Sequence, residues 1–160
     1  MSKIASSQKR IAAFVIDDII ISLLFFAIFF DQIDSLLASE ITSLFMNKDL
    51  LVVSPETMQH ISEKTTLFIK ENLLVFIAIK IMYHTFLIWN NGMTFGKYML
   101  KIKAVDEKSG ANLSFGKSLL RATVRILSEF VLYFGFFIAF FNPKVQTLHD
   151  KISGVIVADA

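Results

Sequence analysis

Cysteine is absent from this chain of 160 residues, which excludes a disulfide framework, a thiolate metal cage, a cysteine-held iron–sulfur cluster and a thiol nucleophile. Charge is scarce as well: Asp, Glu, Lys and Arg make up 19% of the residues, against roughly 25% in an ordinary soluble domain. A soluble reading starts badly for that reason. A disordered reading fails on the seventeen Phe, because disordered chains carry few aromatics. What the chain does have is apolar bulk, 54% hydrophobic residues and a mean hydropathy of +0.60. These features imply a protein that lives in lipid. The length suits one domain of three or four membrane segments and leaves little room for a separate globular enzyme.

The stretch from Ile11 to Phe30, IAAFVIDDIIISLLFFAIFF, is close to the ~20 residues a helix needs to cross a hydrocarbon core. Lys3, Lys9 and Arg10 precede it as they would a signal peptide, but no small-x-small cleavage site follows and Asp17 and Asp18 interrupt it, so it reads as a retained span. A second span covers Leu73 to Trp89, with Tyr83 and Trp89 as amphipathic rings toward a headgroup boundary. A third membrane region covers residues 119–141. Its apolar part, Phe130 to Phe141, is only about half a bilayer long. Two readings stay open there: a charge-striped full span from Leu119, or a re-entrant pair of half-helices breaking at Gly135. Asn142-Pro143 ends it in either case.

Lys and Arg counts set the direction of insertion. Residues 31–72 carry Asp31, Asp34, Glu40, Asp49, Glu56, Glu63 and Glu71 against Lys48, Lys64 and Lys70, and read as an outer loop. The N-terminus and residues 90–118, with Lys97, Lys101, Lys103, Lys108 and Lys117, read as cytoplasmic. In the outer loop, Ser54-Pro55-Glu56 is a helix start that runs on through Glu71 toward the second span. Leu36, Leu37, Ile41, Leu44 and Phe45 suggest another short helix on the outer membrane surface. KIKAV, followed by a turn at Lys108-Ser109-Gly110, and GVIVA in the tail of residues 142–160 are strand-like. Pairing them places both termini in the cytoplasm and demands an even number of crossings. The expected fold is an all-α membrane protein, a small helical bundle with a short cytoplasmic two-stranded β element.

The informative residues are the ionisable ones inside apolar segments, each costing ~2.5–3.5 kcal/mol at a helix centre on insertion scales. Arg10 and Asp17 are seven apart and share a helix face, with Asp18 about 100° around. Lys80 and His84 share a face of the second helix, and Arg121, Arg125 and Glu129 form one stripe. Turning these faces inward pairs Asp17 or Asp18 with Lys80 or with an arginine of the stripe. Such a cluster serves either to bind ions or only to fix helix register. Asp150 in the tail calls for a structural role, anchored by backbone amides or by Arg10 or Arg121. His60, His84 and His149 lack metal-ligand spacing, NGMTFGK lacks the Ser or Thr of a phosphate loop, and no Ser, His and carboxylate set stands out. No metal, cofactor, nucleic-acid partner or enzymatic activity is therefore expected. Lys97 to Lys117 reads as a basic face resting on anionic headgroups.

Taken together, RIAAFVID, NGMTFGKYMLKIKAVD, SFGKSLLR and QTLHDKISGVIV resemble the RDD family of small bacterial membrane proteins over nearly the whole chain apart from the outer loop. Arg10, Asp17 and Asp150 match the family's Arg, Asp and later Asp. Gly92, Thr94, Gly96 and Lys97 match its G-x-T-x-G-K stretch, and Arg121 matches the arginine that closes its S-x-x-x-x-L-L-R stretch. The chain departs from the pattern at Gly154-Val155, where the family has Gly-Thr, in a long outer loop, and in the additional Asp18. The resemblance implies a multi-pass protein of the bacterial inner membrane, possessing a transport role for unknown ligands, with sodium and proton exchange in some members. The corresponding expectation is a homo-oligomeric monovalent cation/proton antiporter in which Asp17, helped by Asp18, binds the ion and Arg10 and Lys80 set its protonation. The alternative is a non-transporting scaffold or assembly module whose buried charges fix helix packing.

Overall fold

The computed structural model describes residues 3–46, 55–131 and 138–160. Helices α1 (Ser7–Ile28), α2 (Phe30–Met46), α3 (Pro55–Asn91) and α4 (Phe95–Met99) lead to strand β1 (Ile102–Asp106). Helix α5 (Phe115–Phe130), a 3-10 turn at Ile138–Phe141, helix α6 (Leu148–Ser153) and strand β2 (Val155–Asp159) follow. The chain divides into two compact units, Met1–Ile21 with Ile77–Ala160 and Ser22–Phe76.

In the smaller unit the Phe25 ring packs on Phe29, Phe68 and Phe76, with centroids 4.6, 6.3 and 5.0 Å away. Asn72 Nδ2 donates to its own helix at Phe68 O, 2.9 Å, and to Gln32 Oε1, 3.5 Å. The outer-loop helix expected from Ser54-Pro55-Glu56 is the start of α3, which begins at Pro55; Ser54 itself lies outside the described residues. With 37 residues at 1.5 Å each, α3 is ~55 Å long and exceeds a ~30 Å hydrocarbon core, and residues 73–89 lie within it. The helical spacing of Leu36 to Phe45 corresponds to α2.

In the larger unit β1 and β2 pair antiparallel, with Ile102 opposite Asp159 and Asp106 opposite Val155. Ile4 bridges to Ala158, and the amides of Ala5 and Asp159 bond to Val157 O (3.0 Å) and Lys3 O (2.8 Å), so the first residues of the chain extend the sheet. Ala5, Ala13, Ile88, Ile102, Ala104, Leu113, Val155 and Val157 form the apolar core under it. Two glycines set how closely elements approach. Gly92, at φ +71°, stops α3 and accepts from the Ala104 amide at 2.8 Å; a Cβ there would lie 2.8 Å from Ala104 O. A Cβ on Gly96 would lie 2.2 Å from Ala13 O, so only glycine lets α4 sit against α1.

Burial is inverted relative to a soluble bundle. Helix α1 buries Asp17 fully while Leu23 is 63% exposed, and α3 buries Lys80 and His84 while Met82 is 71% exposed. Helix α5 turns Arg121, Arg125 and Ser128 inward and leaves Leu120, Leu127 and Phe130 outside. Apolar side chains left in water would forfeit ~25 cal/mol per Å2, so this surface fits a lipid solvent. Ser7–Ile28 and Met58–Asn91 are long and apolar enough to cross a membrane, with mean hydropathies of 2.5 and 1.6. In the third membrane region α5 ends at Phe130, and residues 132–137 lie outside the described residues. The break expected at Gly135 lies outside the described residues.

Candidate functional site

Three knots of polar side chains lie in the larger unit. Asp17, wholly buried on α1, is the first. Thr94 Oγ1 donates to its Oδ2 at 2.6 Å; the Gly96 amide and Tyr83 OH donate to its Oδ1 at 2.8 and 2.9 Å. Lys97 Nζ lies 4.0 Å from Oδ2 and donates to Thr94 Oγ1 at 3.4 Å. The glycine-rich loop is thus a docking clip for Asp17. Its threonine supplies a hydroxyl, its second glycine a bare amide, and neither phosphate nor headgroup chemistry is needed to explain them.

The second knot is centred on Lys80 of α3. Its ammonium lies between Asp18 Oδ1 (2.9 Å) and Glu129 Oε2 (2.6 Å). Glu129 also accepts from Arg125 Nε, one turn back on α5, at 3.1 Å. Arg125 stacks its guanidinium over Phe14 at 5.0 Å and reaches His84 Nδ1 at 3.3 Å. A guanidinium can only donate, so Nδ1 of His84 is the acceptor nitrogen. Lys80, Glu129, Arg125 and His84 are all close to fully buried, whereas the Asp18 side chain is 37% exposed.

Asp150, on α6, makes the third knot. Arg121 grips Oδ1 through Nε (2.8 Å) and Nη2 (2.7 Å), and Arg10 Nη1 reaches Oδ2 at 3.2 Å. The Thr147 amide adds a long bond of 3.5 Å. Arg10 also donates to Val145 O at 2.6 Å and Val157 O at 2.9 Å, tying α1 to the loop before α6 and to β2. Burial pushes the Asp150 carboxyl upward, but the Arg121 and Arg10 charges outweigh it and hold the group well below the usual carboxylate range. His149 beside it is driven well below its ordinary value, first by burial, and is neutral.

At the edge of the unit Asp106 takes Lys117 and the amides of Lys108 and Ser109, and these bonds, led by that of Lys117, hold its carboxyl well below normal. Glu107 accepts from Lys144 (2.5 Å) and Gln146 (3.0 Å). Among the described residues, no group of His and carboxylates has metal-holding geometry.

All eight residues singled out from the sequence therefore lie in these three knots; Asp18 with Lys80, and Asp150 with Arg10 and Arg121, are pairings that the sequence offered, whereas Asp17 is held by Tyr83, Thr94 and Gly96. Arg10, expected to set the protonation of Asp17, bonds Asp150, and Lys80 bonds Asp18 and Glu129. Tyr83, expected at a headgroup boundary, is spent on Asp17. Lys97, expected on a basic face resting on anionic headgroups, is 7% exposed. Thr94 and Gly96 appeared in the sequence only as part of a motif, and nothing in their spacing named Asp17 as the partner.

The architecture is that of a helical membrane protein organised around internal charge, and the comparisons place it more closely. The chain matches the RDD family over residues 4–154 and belongs to it. It is 34% identical over 74 residues to a proline-rich antigen homolog of Mycobacterium tuberculosis, covering 42% of this chain and 31% of that protein. The proline-rich antigen of Mycobacterium leprae is 30% identical over 87 residues, 50% of this chain and 35% of its own. The chain thus spans about a third of the length of these mycobacterial relatives. The uncharacterized protein YxaI of Bacillus subtilis is 29% identical over 154 residues, 95% of both chains. No solved structure matches.

Proposed function

We propose that this protein is a non-catalytic membrane assembly module, in which a buried charge network locks the strand layer to the ends of the spanning helices and presents a fixed apolar exterior to lipid and to further copies of the chain. The observation that carries this reading is saturation. Asp17, Asp18, Glu129 and Asp150 each accept from a donor on another segment of the chain, leaving no buried carboxylate idle for a cargo cation among the described residues. The N-terminus and both strands lie in the cytoplasm on this reading, supported by the Lys and Arg asymmetry.

A second reading, monovalent cation/proton antiport in a homo-oligomer, draws on one feature. Lys80 is shared between two carboxylates, one of them partly exposed, and a cation could compete with the ammonium there. Purified protein in proteoliposomes, assayed for cation-dependent proton movement, separates the two. The assembly reading expects no such movement from the wild type, and loss of assembly when Asp17→Asn weakens the clip. Robust movement that Asp18→Asn abolishes at an unchanged oligomeric state overturns it.

A further inference from the structure

Helix α5 keeps step with α1. Arg10 and Arg121 share the Asp150 carboxylate, Arg125 lies over the Phe14 ring at 5.0 Å, and Asp18 and Glu129 share the Lys80 ammonium. Residues 10, 14 and 18 of one helix thus meet 121, 125 and 129 of the other in the same order, each rung ~6 Å beyond the last. Two helices joined by such a ladder run side by side in the same direction. Because α1 is long and apolar enough to cross a membrane and Asp18 lies about midway along it, Glu129 sits at the depth of the middle of that span.

The outward face of α5 suits that depth. After Lys117 in the first turn, its charged residues Arg121, Arg125 and Glu129 are turned inward, while Leu119, Leu120, Thr123, Leu127 and Phe130 are exposed. The single hydroxyl among these five, that of Thr123, donates to Leu119 O of its own helix at 3.0 Å and needs no water. The start of the helix carries a boundary mark. Phe115 packs edge-on against Trp89 with centroids 5.5 Å apart, and an exposed Trp at the end of a span is a ring that settles among headgroups.

We infer that this face of α5 is an acyl-chain contact surface sunk into the leaflet that α1 enters, with Phe115 at the headgroup boundary and Phe130 near the bilayer midplane. The occupant is lipid tail because the surface continues the exposed apolar flank of α1, Ile11, Val15 and Ile19, at matching depths. Neither the assembly reading nor antiport assigns α5 a depth, and the inference rests on the membrane reading that both share.

The test reads depth by fluorescence in lipid vesicles, with the full chain carrying Trp89→Phe and one new tryptophan at a time. Bromine quenches tryptophan on contact, so lipids brominated near the headgroup end or near the methyl end of the chain report shallow and deep positions. Ile11→Trp and Ile19→Trp on α1 are the rulers. Leu120→Trp should lose most fluorescence to the shallow bromines, as Ile11→Trp does, and Phe130→Trp to the deep ones, as Ile19→Trp does. The unsubstituted chain gives an independent readout: photoreactive groups at the chain methyl should label Leu127 and Phe130, and groups near the headgroup should label Phe115 and Leu119. Shallow quenching of both α5 positions lays the helix flat in the interface and overturns the proposal. Quenching of both by aqueous iodide instead of bromine, or by neither, puts water or a second copy on this face and overturns it equally. If the two α1 rulers also escape the bromines, the membrane reading fails together with the proposal.

Discussion

Asp150→Asn is the sharpest probe of the network, because the substitution preserves shape and one acceptor oxygen while removing the charge that two buried guanidiniums share. The Asp150 side chain is 2% exposed, Arg121 lies 2.7 Å from it and Arg10 3.2 Å. Breaking a buried ion pair from one side costs ~3–5 kcal/mol, since the surviving charge is left uncompensated. Arg10 keeps its bonds to Val145 O and Val157 O, so most of the loss falls on Arg121, and about 3 kcal/mol is expected. The assay is reversible unfolding of the detergent-solubilised protein, read as the shift in denaturation free energy. Adding Arg121→Gln should recover part of the loss, because the stranded charge is then gone as well. The pH dependence carries its own signature. A carboxyl held below its unfolded value of 3.8 gives stability that is present above that pH and lost as pH falls through the folded value. The Asn variant should therefore show a flatter acid limb. A single variant within ~0.5 kcal/mol of the parent would refute the anchoring role.

Gly96→Ala drives a Cβ into Ala13 O at 2.2 Å and should cost ~2 kcal/mol or more and loosen the Asp17 clip, whereas Gly116→Ala, where a Cβ meets nothing within 4 Å, should stabilise by ~0.5–1 kcal/mol. For Lys97 the folded value near 7 lies below the ordinary 10.5, so between these limits the unfolded chain binds more protons and stability rises with pH. Lys97→Met should abolish that slope and be the more stable protein by a few kcal/mol at pH 7 and below, as followed by unfolding at several pH values. Cysteines introduced at Ser6 and Ser109 should react with an impermeant reagent only from the cytoplasm, and one at Ser54 only from outside; external labelling at position 109 would reverse the topology.

Much of this arrangement is legible in the sequence, and the parts that are not share a cause. Period and breakers are local signals, so Pro55 as a helix start and KIKAV with GVIVA as strands can be read directly. The inward placement of Arg121, Arg125 and Glu129 follows from their spacing of four together with the high cost of leaving charges in lipid. Which carboxylate meets which cation is a different kind of question. Helical spacing fixes the face but not the depth of contact, and depth is set by Gly96 against Ala13 and by Gly92 against β1. Those close approaches slide Asp17 toward the loop, leaving Lys80 to the neighbouring Asp18. That extra carboxylate, a departure from the family pattern, is the one whose side chain remains partly exposed.

The long separations in the network bear on how the chain reaches this state. Arg10 is compensated by a carboxylate 140 residues later, and Arg121 by the same group 29 residues later. Lys9 pairs with Asp159 at 2.6 Å, and Ala5 bonds Val157 O. The first helix therefore enters lipid with its basic end unpaired, and Asp17 stays without its clip until the segment Thr94–Lys97 has followed. Charges in that interval are tolerable only near water, which suits Arg10 and Lys97 at the ends of spans better than at their centres. Arg10 and Arg121 gain their shared carboxylate only when α6 is docked, and that pairing carries the loop-closure cost that long separations impose. The small apolar core under the sheet, mostly Ala, Val and Ile, includes Val155 and Val157 of β2, so it is buried in the same closure and offsets part of that cost. Within the larger unit the strand layer and the helices carrying Arg10 and Arg121 are joined in this way, because Asp150 on α6, Arg10 on α1 and Arg121 on α5 each complete the others' charge.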